Sequence, residues 1–261
     1  MFTTVAFQES VDPAGVFNDL TAVPDQHITV SGDDLRVPSL NQIIAAAFGV
    51  DVTVEAFARL SSPSLRIRQL LHVEPFNTAS AAAVEPGSPH RIYDLRRSPI
   101  ALVVGENLNA SVQSDPLAAQ IQWAVVWLAD GAPDPIRGAI FTARATAAQA
   151  LVASTWTNGA LTFVEDLPRG RYQVVGMRAR AAGLVAARLV FVGAGALGWR
   201  PGVLGTDAQD DQEHMMFRHG ELGAWGEFED IEPPTVDFLS VSADAAEDVY
   251  LDLIQTRAGP G

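Results

Sequence analysis

The chain has 261 residues, of which 48% are hydrophobic, which is enough to bury the core of one large domain or of two smaller ones. It carries 31 acidic residues against 17 basic ones, every basic residue is arginine, and the net charge is -14. A surface this acidic repels phosphate backbones, which argues against direct binding of nucleic acid. The chain contains no cysteine, which excludes disulfides, thiolate metal sites and a cysteine nucleophile.

Residues 1–24 mix apolar and polar positions, and a Pro-Ala-Gly turn interrupts them. We predict an N-terminal arm here, with one short helix around Val16–Leu20. Such an arm packs on its own domain, or it reaches a neighbouring subunit or a membrane surface. From His27 onwards apolar and polar residues alternate, and turn-forming residues follow, as expected for short strands.

Two segments of the chain resemble each other, and their first glutamines lie 131 positions apart. Gln42–Leu60 reads QIIAAAFGVDVTVEAFARL, and Gln173–Leu189 reads QVVGMRARAAGLVAARL. The second copy, rich in valine, predicts strand, whereas the alanines of the first copy leave a short helix open. The prolines at 99 and 234 each precede an extended run, so flanking features recur as well. We predict an internal duplication; the alternative is chance similarity between two β-rich halves.

The segment Ile121–Leu128, IQWAVVWL, is apolar on both faces when it is built as a strand. Such a strand is buried on both sides, so we expect it at the centre of a sheet, covered by a second layer or by a partner. The next residues, Asp130–Gly138, contain two prolines and two glycines. This composition at the midpoint of the chain predicts a boundary between two domains.

The second half repeats the strand pattern. Asn158-Gly159 lies between two alternating runs, which predicts a hairpin turn, and the last strand is predicted at Val249–Gln255. Short strands separated by turn signals, without a long helix, are typical of sandwiches and jelly rolls. We therefore predict an all-β fold of two tandem β-sandwich (jelly-roll) domains with few short helices. The predicted parts are an arm at 1–24, a first jelly roll at 25–130, a linker at 131–138, a second jelly roll at 139–257 and a tail at 258–261.

The side chains that carry chemistry form no catalytic constellation. The five histidines are His27, His72, His90, His214 and His219, and they include no pair at the spacing that places two imidazoles on one face. No Gly-x-Ser-x-Gly elbow is present. The glycines at 193–198 follow a strand but precede Trp-Arg-Pro instead of a helix, which argues against a dinucleotide loop. We expect no enzyme activity, no catalytic residues, no cofactor and no metal.

Acidic residues cluster in two places. The densest group is Asp207, Asp210, Asp211, Glu213 and His214. Its oxygens could bind Ca²⁺, but the spacing lacks the alternation of calcium loops, which favours a solvated acidic loop. Glu227, Glu229 and Asp230 could supply the two carboxylates of a glycosidase, but only their adjacency in the sequence supports that function.

Two consecutive jelly rolls in one chain of this size, with long loops and no catalytic cluster, resemble the double jelly-roll major capsid proteins of tailless icosahedral viruses and phages. The resemblance is architectural and covers residues 25–257. It rests on the Ala-Arg-Leu repeats, the proline elements at 99 and 234, and the closing strands. It implies a viral structural protein, a homotrimer whose six jelly rolls form a pseudo-hexagonal capsomer of an icosahedral shell.

The resemblance also implies partners and a location. The partners are further copies of the chain and other capsid proteins, with possible membrane proximity through the N-terminal arm. The location is the virion, after assembly in the host cytoplasm. Trp123, Trp127 and the aromatics of 217–228 would supply either subunit contacts or the domain core. The alternative function is a tandem β-sandwich module that binds carbohydrate or a cell surface, in which an exposed Trp199 or Trp225 stacks on a sugar ring.

Overall fold

A computed structural model of the protein describes residues 1–51, 56–65, 76–77, 92–116, 119–133, 135–192, 198–206, 217–243 and 247–259. These residues form β-strands, turns and one three-residue 3-10 helix, Pro63–Leu65. The strands lie in several sheets. The predicted all-β class is therefore confirmed.

The first half of the chain, residues 1–130, contains the strands β1 to β12. They are β1 (Phe2–Val11), β2 (Asn18–Asp19), β3 (Thr21–Ala22), β4 (Val30–Ser31), β5 (Asp34–Arg36), β6 (Gln42–Val50), β7 (Ala56–Ser61), β8 (Phe76–Asn77), β9 (Ile92–Asp94), β10 (Ile100–Ala101), β11 (Asn107–Ser114) and β12 (Gln120–Ala129). One sheet has the order β10-β6-β12-β1-β3, and β8 and β9 also pair with β6. The other has the order β2-β11-β5-β4, and β7 also pairs with β11.

The two sheets of the first half enclose an apolar core, called here the first core. Every second residue of a strand points to the same face, so each strand gives the core one of its two faces. Members from both sheets include Val5, Phe7, Ala124, Val126 and Leu128 on one side and Leu108, Ala110 and Val112 on the other. The first half is thus a β-sandwich.

The second half, residues 139–259, contains the strands β13 to β21. They are β13 (Phe141–Ala147), β14 (Thr157–Ala160), β15 (Thr162–Phe163), β16 (Gly170–Arg180), β17 (Leu184–Val190), β18 (Gly202–Thr206), β19 (Gly226–Glu229), β20 (Thr235–Ser240) and β21 (Glu247–Ala258). Their order is β14-β20-β17-β18-β16-β21-β13-β15, and β19 also pairs with β16. The strand β18 joins the two parts of this sheet, because it pairs antiparallel with β17 and parallel with β16.

The same order of strand pairing occurs in both halves. The series β6-β12-β1-β3 of the first half matches β16-β21-β13-β15 of the second, and β2-β11-β7 matches β14-β20-β17. Short strands recur too, since β8 and β18 pair parallel, and β9 and β19 antiparallel, with β6 and β16. The two similar sequence segments thus begin equivalent strands, β6 and β16. The alanine-rich copy is strand and not helix.

The predicted N-terminal arm at 1–24 is wrong. Residues Phe2–Val11 form β1, which lies inside the first sheet between β12 and β3. The predicted helix around Val16–Leu20 is also wrong, because Asn18 and Asp19 form β2 and pair with β11. The sequence misled here because β1 buries polar side chains such as Thr4 and Gln8, which blur its alternation.

The strand pairings among the described residues lie within 2–129 or within 141–258, and none crosses the predicted linker at 131–138. The tail predicted at 258–261 begins too early, because β21 continues to Ala258 and pairs there with Gly170. The two halves are nevertheless in contact, because Trp123 and Trp127 of the first belong to the same apolar cluster as the core of the second. That cluster is called here the second core.

Two local predictions are corrected by the pairing. Asn158 and Gly159 do not form a hairpin turn; they lie within β14, which pairs antiparallel with β20. The two proline elements are not equivalent, because Pro99 precedes β10, an edge partner of β6, whereas Pro234 precedes β20, the counterpart of β11. At Asn158 and Gly159, long-range strand pairing decides the conformation and overrides the local turn signal.

Candidate functional site: the contact between the two halves

The outer face of β12 is covered by the second half of the chain. Trp123, Val125 and Trp127 lie on this face and are completely buried in the second core. Nε1 of Trp127 donates a 2.8 Å hydrogen bond to the carbonyl oxygen of Gly202, and the Trp127 and Phe217 ring centroids are 4.9 Å apart. The strand is therefore covered on both faces as predicted, and the second layer is the same chain.

The aromatic residues proposed for subunit contacts are buried inside the chain. Trp123, Trp127 and Phe217 have no exposed surface, and Trp225 and Phe228 are 4% and 6% exposed. The Phe2 and Trp225 rings meet edge to face at 5.2 Å. These side chains therefore form the core and the contact between the halves, and they leave no surface for a neighbouring subunit.

A buried ion-pair network, called here the clasp, crosses the same contact. Arg188 of β17 is 1% exposed, and its guanidinium lies 2.6 Å from Asp25 of the first half and 3.1 Å from Asp237 of β20. It also donates a 3.3 Å hydrogen bond to the carbonyl oxygen of Thr4, and it lies 3.8 Å above the ring of Trp156. Arg188 thus forms ion pairs and hydrogen bonds with residues of both halves.

The charges of the clasp balance. Burial lowers the pKa of Arg188, the nearby carboxylates of Asp25 and Asp237 act in the opposite direction, and an arginine stays protonated in such surroundings. The second cation is Arg200, whose Nε is 3.8 Å from Asp237. Two arginines therefore face two carboxylates, which is the pairing that makes burial of charge tolerable.

Arg200 also binds the imidazole of His27 across the contact, at 2.6 Å between Nη2 and Nε2. A guanidinium only donates hydrogen bonds, so Nε2 accepts and His27 is neutral in this contact. Burial lowers the pKa of His27, and the positive charge of Arg200 lowers it further. Asp25 and Asp237 raise this pKa and Arg188 lowers it, but the sum is downward.

The clasp is expected to weaken in acid. Because the pKa of His27 is lower in the folded than in the unfolded chain, the unfolded chain takes up the proton first, and the free energy of unfolding falls as the pH drops below about 6.5. Urea denaturation of the wild type and of His27→Gln at pH 7.5 and 5.5 measures this. The variant should lose less stability over the interval; equal losses would contradict the assignment.

The arginine of the first Ala-Arg-Leu segment has the same kind of surroundings as Arg188. Arg59 of β7 is paired across the strands with Ser111 of β11, donates a 3.0 Å hydrogen bond to its hydroxyl, and lies 4.2 Å above the ring of Phe17. In the second half, Arg188 is paired with Asp237 and lies over Trp156. The repeated tripeptide therefore marks a repeated side-chain arrangement, although Arg59 is exposed.

A second buried ion pair lies within the second half. Asp252 of β21 is completely buried and accepts two hydrogen bonds from Arg218, at 2.6 and 2.9 Å. The hydroxyl of Thr142 and the backbone N–H of His219 also donate to it, at 2.7 and 3.0 Å. These contacts lower the pKa of Asp252 against the effect of burial. Its carboxylate thus anchors the turn after residue 217 to β21.

Most of the predicted ligand candidates lie outside the described residues. This applies to Asp207, Asp210, Asp211, Glu213 and His214, and to His72 and His90. His27 belongs to the clasp, and the ring of His219 lies 3.5 Å from Asp252. The described part of the chain contains no group of three side chains that could hold a metal ion.

Three carboxylates considered for glycosidase chemistry each have a partner of their own. Glu227 pairs with Arg171 at 2.8 Å, Glu229 pairs with Arg257 at 3.0 Å, and Asp230 accepts a hydrogen bond from the backbone N–H of Gly170. Glu229 and Asp230 border an open depression of about 760 Å³ at the end of β21. Their contacts fasten the ends of β16, β19 and β21 to one another.

The tryptophans considered for sugar stacking are not free. Trp225 is buried against Phe2, and Trp199 is half-buried and packs against the first core. The sequence patterns do not reveal the clasp, because no local pattern brings Asp25 and Arg188 together, but they contain one further repeat. Leu20–Asp25 reads LTAVPD and Leu161–Asp166 reads LTFVED, a second repeat that places Asp25 and Asp166 at matching positions.

The fold and the contact define an all-β protein whose two halves share one buried contact. Comparison with protein-family models and with curated proteins finds no match. Among the described residues, no helix is long and apolar enough to cross a membrane.

Proposed function

We propose that the protein is a viral major capsid protein with two tandem jelly rolls that arose by internal duplication, and that three copies form a pseudo-hexagonal capsomer. The observation that carries this proposal is the nested strand pairing that occurs in both halves. In a jelly roll, eight strands wrap so that the first pairs with the last, the second with the seventh, and so on inwards. The second half has the pairs β13–β21, β14–β20, β16–β19 and β17–β18.

The first half supports the same assignment. It has the pairs β1–β12, β2–β11 and β6–β9, which correspond to the outer three of the four. The duplication gains further support from the repeated arginine, because Arg59 and Arg188 bond to the cross-strand residue and cover an aromatic ring in the same way. Two similar sandwiches in one chain give six similar units in a trimer.

The contact between the halves suits a shell component. A capsomer needs its two rolls at a fixed angle, and here a buried tryptophan face and a charge-balanced clasp hold them together. Interiors packed in this way resist deformation. The acidic composition supports a shell that does not touch its genome.

The test is the assembly state of the expressed full chain. Size-exclusion chromatography with light scattering is expected to give three times the chain mass, and negative-stain microscopy is expected to give pseudo-hexagonal particles. A clean monomer at micromolar concentration would contradict the proposal. If that monomer bound glycans on an array, the alternative of a tandem carbohydrate-binding module would replace it.

A further inference from the structure

We propose that copies of the chain bind one another through a polar version of its own internal contact, in which Arg59 of one copy pairs with Asp166 of the next. This inference rests on the proposed function, because it names the surface through which the capsomer forms. In the clasp, Asp25 of the first half pairs with Arg188 of the second.

Each side of the clasp has a counterpart in the other half. Arg188, paired with Asp237 across the strands, corresponds to Arg59, paired with Ser111. Asp25 follows β3, which pairs with β1, and Asp166 follows β15, which pairs with β13. The repeat LTAVPD and LTFVED gives the same correspondence. The first half therefore repeats the arginine side of the clasp, and the second half repeats its carboxylate side.

These counterparts lie on the surface of the single chain. Arg59 and Asp166 are both exposed, and the described residues give Arg59 contacts with Ser111 and Phe17 but with no carboxylate. The neighbouring apolar residue shows the same difference. Val23 is 4% exposed and packs in the second core, whereas its counterpart Val164 is 52% exposed. The surfaces around Arg188 and Val23 are therefore covered within the chain, whereas the equivalent surfaces around Arg59 and Val164 are exposed.

A second copy of the chain is the partner that fits both open surfaces. Within one chain, Asp25 already pairs with Arg188. Arg59 of the first half and Asp166 of the second are therefore available to bind neighbouring copies. A contact between these two different surfaces is head to tail, and such contacts give closed rings when the rotation between copies closes. Three chains linked in this way bring six sandwiches into one ring.

The outer sheet face of the second half supports reversible association. Where the first half has Trp123, Val125 and Trp127, the matching register on β21 has Asp248 and Tyr250, which are partly exposed, and Asp252, which Arg218 of the same chain covers. Asp248 pairs with Arg144 at 2.8 Å, and Arg178 lies 5.8 Å from the Tyr250 ring. A polar face stays soluble before assembly, as surfaces of separately folded partners do, whereas the buried tryptophan face suits a permanent contact.

Charge reversal tests the pairing. In the full chain, Arg59→Glu and Asp166→Arg should each weaken trimer formation at least tenfold in light scattering across a dilution series, and the double variant R59E/D166R should restore it. Arg257→Glu, which breaks the exposed pair with Glu229, is the matched control and should assemble like the wild type. Circular dichroism and thermal melting check the fold, and the milder Arg59→Gln and Asp166→Asn replace any variant that fails to fold.

The outcomes separate the two proposals. Single variants that form trimers at the same concentrations as the wild type, or a double variant that is no better than the singles, would overturn the Arg59 and Asp166 pairing while the capsid function stands. A monomeric wild type would overturn the function itself. Because the chain has no cysteine, R59C/D166C treated with a short bis-maleimide, at a concentration at which light scattering still detects trimers, should also give linked dimers and trimers on a denaturing gel, whereas R59C alone, which has no second thiol opposite it, should give neither.

Discussion

Replacement of Arg188 by methionine is expected to lower the free energy of unfolding by about 3–5 kcal/mol, the range observed when one partner of a buried ion pair is removed. The guanidinium is 1% exposed and lies between Asp25 and Asp237, whose side chains are 7% and 12% exposed. Without it, two poorly solvated carboxylates face each other with only Arg200 nearby. Urea denaturation at pH 7 measures the loss.

The matched control is Arg59→Met, because Arg59 has the same strand position and the same aromatic neighbour in the first half. It is exposed, so at protein concentrations at which wild type and variant are both monomeric the loss should stay below about 1 kcal/mol. The second control is the double variant R188M/D25N, which removes one of the orphaned charges and should recover part of the stability. Equal losses for R188M and R59M would mean that the clasp does not stabilise the contact.

Replacement of Trp127 by alanine is expected to cost about 3–5 kcal/mol and to separate the unfolding of the two halves. The side chain fills the contact, packs on Phe217 and donates a hydrogen bond to Gly202. Its loss leaves a cavity between the two halves, each of which retains apolar core residues of its own. Differential scanning calorimetry should therefore change from one transition in the wild type to two in the variant.

Two variants separate the contributions of Trp127. Trp127→Phe keeps most of the apolar volume but leaves the carbonyl of Gly202 without its donor, so a loss of roughly 1–3 kcal/mol is expected. Trp199→Ala removes the same kind of side chain from a half-buried position and should cost less than Trp127→Ala. A single transition retained in Trp127→Ala would mean that the apolar contact does not couple the halves.

Much of the fold could be predicted from local sequence patterns. The valines of Gln173–Leu189 predict strand because they suit a pleated surface. The match of this segment to Gln42–Leu60 indicates that β6 and β16 occupy equivalent positions in the two halves. Ile121–Leu128 was recognised as covered on both faces because apolar residues occupy both of its alternating sets. Where the signal failed, as in β1 and at Asn158, strand pairing with distant residues outweighed local propensity.

The sequence by itself determined the all-β class and the two-sided burial of β12, because these depend on side-chain period along short segments. Only the tertiary structure decided which of the two equivalent arginines is buried. Arg59 and Arg188 have the same local sequence, but only Arg188 meets Asp25 and Thr4 from the other half. Burial of a charge depends on residues far away in the chain, and no local pattern encodes their position.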